Sequence, residues 1–261
     1  MRAWLKISTI AASILVSACT SSPTGRNQLL LFSNADMSSL GAQSFEQMKQ
    51  QQTINQDQET NAYVRCVTQA ITANVAPLPG AQAWEVVVFD SDQVNAFALP
   101  GGKIGVYTGL LNVAVNADQL ATVIGHEIAH VLADHSNERL SQSQLANAGL
   151  QLTNVALGSS EYAQYRGMTM AALGLGVQYG VLMPYGRTQE SEADIVGLEL
   201  MAKSGFDPYQ SIELWKNMAK ASGGNQPPEL LSTHPSHSTR IEDLANKIKA
   251  LPNYKVAKPK C

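Results

Sequence analysis

The sequence predicts a mainly helical domain with a small β-sheet, an α+β fold, and three observations carry that reading. Apolar residues recur at three- and four-residue intervals through most of the chain. Two short β-branched and aromatic stretches interrupt this pattern, at residues 83–89 and 94–107. They lead into a helix that carries His126-Glu127-Ile128-Ala129-His130, an H-E-x-x-H pattern. Imidazoles four residues apart share one helix face and can reach one zinc ion. Glu127 is turned about 100° away and can reach a water beside that ion without ligating it. Chance supplies only about 0.004 such matches in a chain of this composition.

Taken in order, the chain opens with a short basic stretch, Met1 to Lys6, and a ten-residue apolar run, Ile7 to Val16. That run is too short to span a bilayer and fits a secretory signal over residues 1–18. Val16-Ser17-Ala18-Cys19 resembles a bacterial lipobox, which implies cleavage before Cys19 and lipidation of its thiol. Thr20 follows Cys19, with no Asp there, and likeness to Gram-negative sorting implies an outer membrane lipoprotein facing the periplasm. Loss of Arg2 and Lys6 moves the net charge from −3 to −5. No basic run remains, which argues against nucleic acid as a partner. Cys66 and Cys261 are left as an even pair, and an oxidising compartment makes a disulfide of them the expectation.

Residues 20–34, rich in Ser, Thr, Pro, Gly and Asn, read as a tether, so residues 19–58 are a lipid-anchored tether with an N-terminal helix. Met37, Leu40, Phe45 and Met48 give that helix its apolar side. The domain proper spans residues 59–261. Val64, Val67, Ile71 and Val75 predict its first helix, stopped by Pro77-Leu78-Pro79-Gly80. Residues 83–89 are a strand, and residues 94–107 are two more around Pro100-Gly101-Gly102. Asn116 caps the metal helix, whose Leu120, Ile124, Ile128 and Val131 must be buried. His135 lies at the end of that helix and reads as solvated. Residues 141–183 are rich in Leu, Ala, Gly and Met and read as buried or lid-forming helices, not a transmembrane span. A helix over 187–204 ends at Gly205, Asp207-Pro208 starts another, and Ile241, Leu244, Ile248 and Leu251 mark a last one.

A catalytic zinc takes three protein ligands and keeps one position open. Glu190 and Glu192 both offer the third. Glu190, Asp194, Gly197 and Met201 form one helix stripe, and Gly197 permits close packing there. Glu192, Glu199 and Lys203 form the other, so Glu190 is expected to face inward and Glu192 to face solvent. Asp194 is then placed to accept a hydrogen bond from a ligating imidazole.

His-Glu-Ile-Ala-His, then Glu-Ser-Glu-Ala-Asp, preceded by Asn-Ala-Phe-Ala-Leu-Pro-Gly-Gly and followed by Thr-His-Pro, together resemble the gluzincin peptidase family of HtpX, the CAAX prenyl endopeptidase, BepA and LoiP. The resemblance covers roughly residues 60–250 and implies a zincin-like metallopeptidase domain with one Zn2+ on His126, His130 and Glu190. It implies that Glu127 takes the proton of the attacking water and passes it to the leaving amine. His234 is implied at the site too, either stabilising the oxyanion or closing the open position of the zinc. Arg240 is a candidate support for the same corner. The strand holding Asn95, Ala96 and Phe97 is expected to pair with substrate backbone. This chain departs from the membrane-spanning branches and leaves no room after residue 251 for a BepA-like repeat domain, so the likeness is greatest to compact lipoproteins such as LoiP. The implied substrates are misfolded or misassembled envelope proteins, with outer-membrane assembly proteins as candidate partners. The competing expectation is a non-proteolytic zinc-containing chaperone or binding module, which would have no use for Glu127.

Overall fold

A computed structural model describes residues 19–80, 83–160, 162–178, 182–221 and 237–261. The fold is mainly helical with two small sheets. The N-terminal hairpin pairs β1 (Cys19–Ser21) antiparallel with β2 (Asn27–Leu29). Helix α1 (Asn34–Gln51) begins at a capping box in which Ser33 and Asp36 satisfy each other's backbone N–H groups. Helix α2 (Gln58–Thr72) follows, capped by Asp57.

The second sheet has the order β3-β5-β4, from β3 (Glu85–Phe89), β4 (Ala96–Leu99) and β5 (Lys103–Tyr107). β5 runs parallel to β3 and antiparallel to β4, which leaves β4 as an edge. Gly101 and Gly102 make the β4–β5 turn at φ of 84° and 75°, in the region that only glycine adopts freely. The short helix α3 (Thr108–Leu111) leads to α4 (Ala117–Leu132), the helix of the H-E-x-x-H pattern. Its cap is as the sequence predicts, with the Asn116 side chain accepting from the Gln119 N–H at 2.9 Å.

α4 runs through the middle of the core. Leu120, Ile124 and Ile128 are wholly buried against Val64, Val67 and Ile71 of α2 and Ile104 and Val106 of β5. α7 (Met183–Lys203), α8 (Gln210–Ala221) and α9 (His237–Ala250) contribute Leu198, Met201, Leu214, Leu244 and Ile248 to the same cluster. On the other side of the sheet, Phe45, Phe89, Phe97 and Tyr107 pack ring against ring at centroid distances of 5.9–6.4 Å. Phe97, half-buried, packs its ring against this cluster, and β4 has no strand partner on its outer side among the described residues.

α4 and α7 touch through their glycines. A methyl group on Gly197 would come within 2.7 Å of the His126 nitrogen, and one on Gly125 within 2.8 Å of the Gly197 oxygen. Gly197→Ala is therefore expected to destabilise the fold by about 1–3 kcal/mol through overpacking and to loosen whatever the two helices hold in common. Thermal melting with and without added zinc checks this. An unchanged melting temperature in both conditions would show that the helices part without cost.

Three departures from the sequence reading have physical causes. Residues 19–29 are not a free tether. They form the β1–β2 hairpin, and Arg26 and Gln28 anchor it by reaching Glu138 of α5 (His135–Gly158). The helices of the 141–183 segment, α5 and α6 (Arg166–Val177), are not buried. Leu152, Val155 and Met168 are 71–73% exposed, because only the first two turns of α5 pack on the body of the molecule. The helix after Gly205 begins at Gln210 and not at Pro208, since Asp207 turns the chain by accepting from the Tyr209 N–H. Among the described residues, no helix is long and apolar enough to cross a membrane.

The C-terminal tail after α9 returns across the molecule. Lys258 pairs with Asp118 in the first turn of α4 at 2.5 Å. The chain then reaches α2, where Cys261 is disulfide-bonded to Cys66 with Cα atoms 5.5 Å apart. A cross-link closing so long a loop contributes on the order of 2–5 kcal/mol.

Candidate metal centre

The 3.6-residue period of α4 stacks His126 over His130, with ring centroids 4.7 Å apart and their Nε2 atoms 3.1 Å apart. The close α4–α7 crossing brings Glu190 opposite both rings. Its Oε2 lies 3.4 Å from His126 Nε2 and its Oε1 lies 3.4 Å from His130 Nε2. Ligands about 2.0–2.1 Å from a tetrahedral zinc are about 3.3 Å from one another. The three residues form the one group of potential metal ligands among the described residues. Once His126 gives up its proton, their facing atoms offer three lone pairs converging in a nearly buried site, which a cation can take. Two imidazoles and a carboxylate on a helical framework are a donor set suited to zinc.

Each imidazole is held from behind. His126 Nδ1 lies 3.0 Å from Asp194 Oδ1, one turn beyond Glu190 on α7. Asp194 in turn accepts from Arg240 of α9, through Nε to Oδ2 at 2.8 Å and through Nη2 to Oδ1. The Arg240 guanidinium lies flat on the Trp215 ring, 3.6 Å from its centroid. Burial opposes the protonated form of His126, yet Asp194 and Glu190 outweigh it and carry its pKa up to about 9. Burial, with His126 adding to it, pushes His130 down to about 2, the neutral state in which imidazole binds a metal.

Glu127 follows His126 on α4 and is not part of that group. Burial raises the pKa of its carboxyl, as does the charge of Glu190, while His126 and a hydrogen bond from the Ala98 N–H pull it back. Tyr107 N–H donates to Asn95 O on the β5 side, so by strand alternation Ala96 and Ala98 direct their backbone groups to the open edge, toward Glu127.

Two expectations fail here. His135 is not solvated but 1% exposed. The chain turns sharply after α4 at Asp134, whose φ of 51° is left-handed, and this folds His135 back to place its Nδ1 2.8 Å from His130 Nδ1. Glu192 does not face solvent either and is 3% exposed. It accepts from His135 Nε2 at 3.1 Å, from Thr24 Oγ1 at 2.6 Å and from Arg26 Nε at 3.1 Å. Helical spacing turns Glu190 and Asp194 inward as expected, whereas the second stripe is covered by the N-terminal hairpin, a contact that local spacing does not encode. Glu199 and Lys203, one turn and more beyond, are the exposed pair expected, at 2.8 Å. His234 and the lipobox residues 16–18 lie outside the described residues.

Residues 45–248 match peptidase family M48, and the chain belongs to that family. It is 34% identical over 235 residues to the mitochondrial metalloendopeptidase OMA1 of Bos taurus, covering 85% of this chain and 44% of the relative. It is 36% identical over 170 residues to the mitochondrial metalloendopeptidase OMA1 of Saccharomyces cerevisiae, covering 62% of this chain and 46% of the relative. It is 35% identical over 165 residues to the beta-barrel assembly-enhancing protease of Escherichia coli O157:H7, covering 61% of this chain and 33% of the relative. The chain thus spans less than half the length of these relatives.

Proposed function

We propose that this chain is a zinc metalloendopeptidase that cleaves polypeptides presented along β4. The observation that carries the reading is the convergence of His126, His130 and Glu190 on one point, with the half-buried Glu127 next to His126 on the same helix and its carboxyl raised above its ordinary pKa by desolvation. His126, His130 and Glu190 would hold the ion, and Asp194 would orient His126. A bound zinc supplies a Lewis acid and an acidified water. Glu127 takes the proton of the attacking water and returns it to the leaving amine. Its displacement toward a higher pKa suits a group that must both gain and release a proton near neutrality. The backbone of Ala96 and Ala98, rather than the side chain of Phe97, lines up an extended substrate by strand addition. His234 would act at the same centre, on the oxyanion or on the open position of the metal.

The setting follows from the sequence. Signal and lipobox support an outer membrane lipoprotein facing the periplasm and acylated at Cys19, and misfolded or misassembled envelope proteins are the substrates such a setting offers. Likeness to a beta-barrel assembly-enhancing protease favours outer-membrane assembly proteins as partners. A structural zinc in a chaperone or binding module would leave Glu127 without a task.

Casein hydrolysis by the zinc-loaded full chain tests the reading. Hydrolysis should stop when a chelator removes the metal and return when zinc is restored. Persistence after the metal has gone, or inertness of the protein with one zinc bound, would reject the peptidase.

A further inference from the structure

We propose that His135 and Glu192 are positioning residues for His130, and that the N-terminal hairpin completes this relay through Arg26. The inference rests on His126, His130 and Glu190 holding the metal. If His130 gives its Nε2 to the ion, its Nδ1 must carry the ring proton. The atom facing that proton is His135 Nδ1 at 2.8 Å, which must accept. His135 therefore carries its own proton on Nε2 and donates it to Glu192 Oε2 at 3.1 Å. The direction of each bond is fixed by the one before it. The two ligating rings are thus supported differently. A carboxylate stands directly behind His126, whereas behind His130 a neutral imidazole stands first and the carboxylate second.

The hairpin holds the outer end of this relay. Arg26 forks onto Glu138, at 2.6 and 2.7 Å, and also donates to Glu192 at 3.0 and 3.1 Å. Gln28 donates to the Ala133 carbonyl at 2.6 Å, at the turn that brings His135 back onto His130. That turn places Asp134 in the left-handed region, which Asp tolerates better than most non-glycine residues, and the Gln28 bond to the preceding carbonyl holds the turn in place. Glu192 is buried, and among the described residues Arg26 is the permanently charged group paired with it, at 3.0 Å. The segment that leads from Cys19 is accordingly part of the metal centre.

Zinc affinity of the full chain, read by competition with a chromophoric chelator, tests the relay, with the visible spectrum of the cobalt-substituted protein as a report on ligand geometry. His135→Phe keeps a ring but accepts no hydrogen bond and should weaken metal binding about 10–100-fold while changing the cobalt spectrum. His135→Gln can accept from His130 and donate to Glu192, and should recover most of the loss. Arg26→Met should weaken binding in the same direction by less, and Glu199→Gln, on the exposed face of the same helix, should leave it unchanged. Wild-type affinity and spectrum in His135→Phe would overturn the relay while leaving the metal centre standing. A wild-type chain that takes up no zinc would overturn the metal centre itself. Should His135→Phe not fold, long-range 1H–15N spectra of the zinc-loaded wild type decide without a variant. His135 should be protonated at Nε2 and His130 at Nδ1, and a proton on His135 Nδ1 would reject the assignment.

Discussion

Glu127→Gln is expected to keep zinc and fold and to lose peptide hydrolysis by several orders of magnitude. The amide has nearly the volume of the carboxyl, and β4 is held by its pairing with β5, so the fold should not change. The amide touches none of the three facing ligand atoms, so metal content should not change. What it cannot do is accept the water's proton at neutral pH. Two successive proton transfers depend on this one group, each worth about 10²–10⁴ in rate. The variant should also bind an unfolded substrate as the wild type does, because strand addition along β4 uses backbone groups. Single-turnover cleavage, zinc content and substrate binding on the purified protein separate these effects. Cleavage at the wild-type rate would mean that another base acts or that the activity belongs to a contaminant.

The parts of this site that a sequence displays are those governed by a period. His126 and His130 are four residues apart on a helix whose apolar positions fix its buried face, so their convergence could be read directly. Glu190, Asp194 and Gly197 share a stripe, and the close glycine contact between α4 and α7 is the one their spacing implied. What escaped is what depends on non-local docking. His135 is five residues past His130 across a left-handed turn, where helical spacing no longer says which way a side chain points. Glu192 looks like a surface residue on any helical projection, and only a hairpin more than 160 residues earlier in the chain buries it. That hairpin has the composition of a linker, rich in Ser, Thr, Pro and Gly. The anchoring power lies in Arg26 and Gln28, two polar residues that carry no apolar pattern. The direction of the Phe97 ring likewise depends on non-local docking. Strand alternation tells that its side chain opposes those of Ala96 and Ala98, but not which face meets the aromatic cluster.

The order of metal loss among the α7 carboxylates is the second large effect expected. Glu190→Ala removes one of three ligands and leaves two imidazoles, their Nε2 atoms 3.1 Å apart, without the carboxylate that faces both. It also exposes a cavity between α4 and α7 at the point where the glycines hold them together. Zinc affinity should fall by much more than the 10–100-fold that an outer partner costs, and hydrolysis should vanish with it. Glu192→Ala leaves all three ligands in place but strips His135 and Arg26 of their common acceptor, so its loss should lie within that 10–100-fold range. Asp194→Ala should resemble Glu192→Ala in affinity, since it stands behind His126 as the His135–Glu192 pair stands behind His130. It should also lower the melting temperature, because Arg240, 4% exposed and stacked on Trp215, would lose its nearest carboxylate. Chelator competition on the three purified variants gives the order. If Glu192→Ala loses zinc as completely as Glu190→Ala, then Glu192 is a ligand and the geometry around His126 and His130 has been misassigned. If Glu190→Ala keeps wild-type affinity, the centre does not use that carboxylate, and the crossing of α4 and α7 has some other purpose.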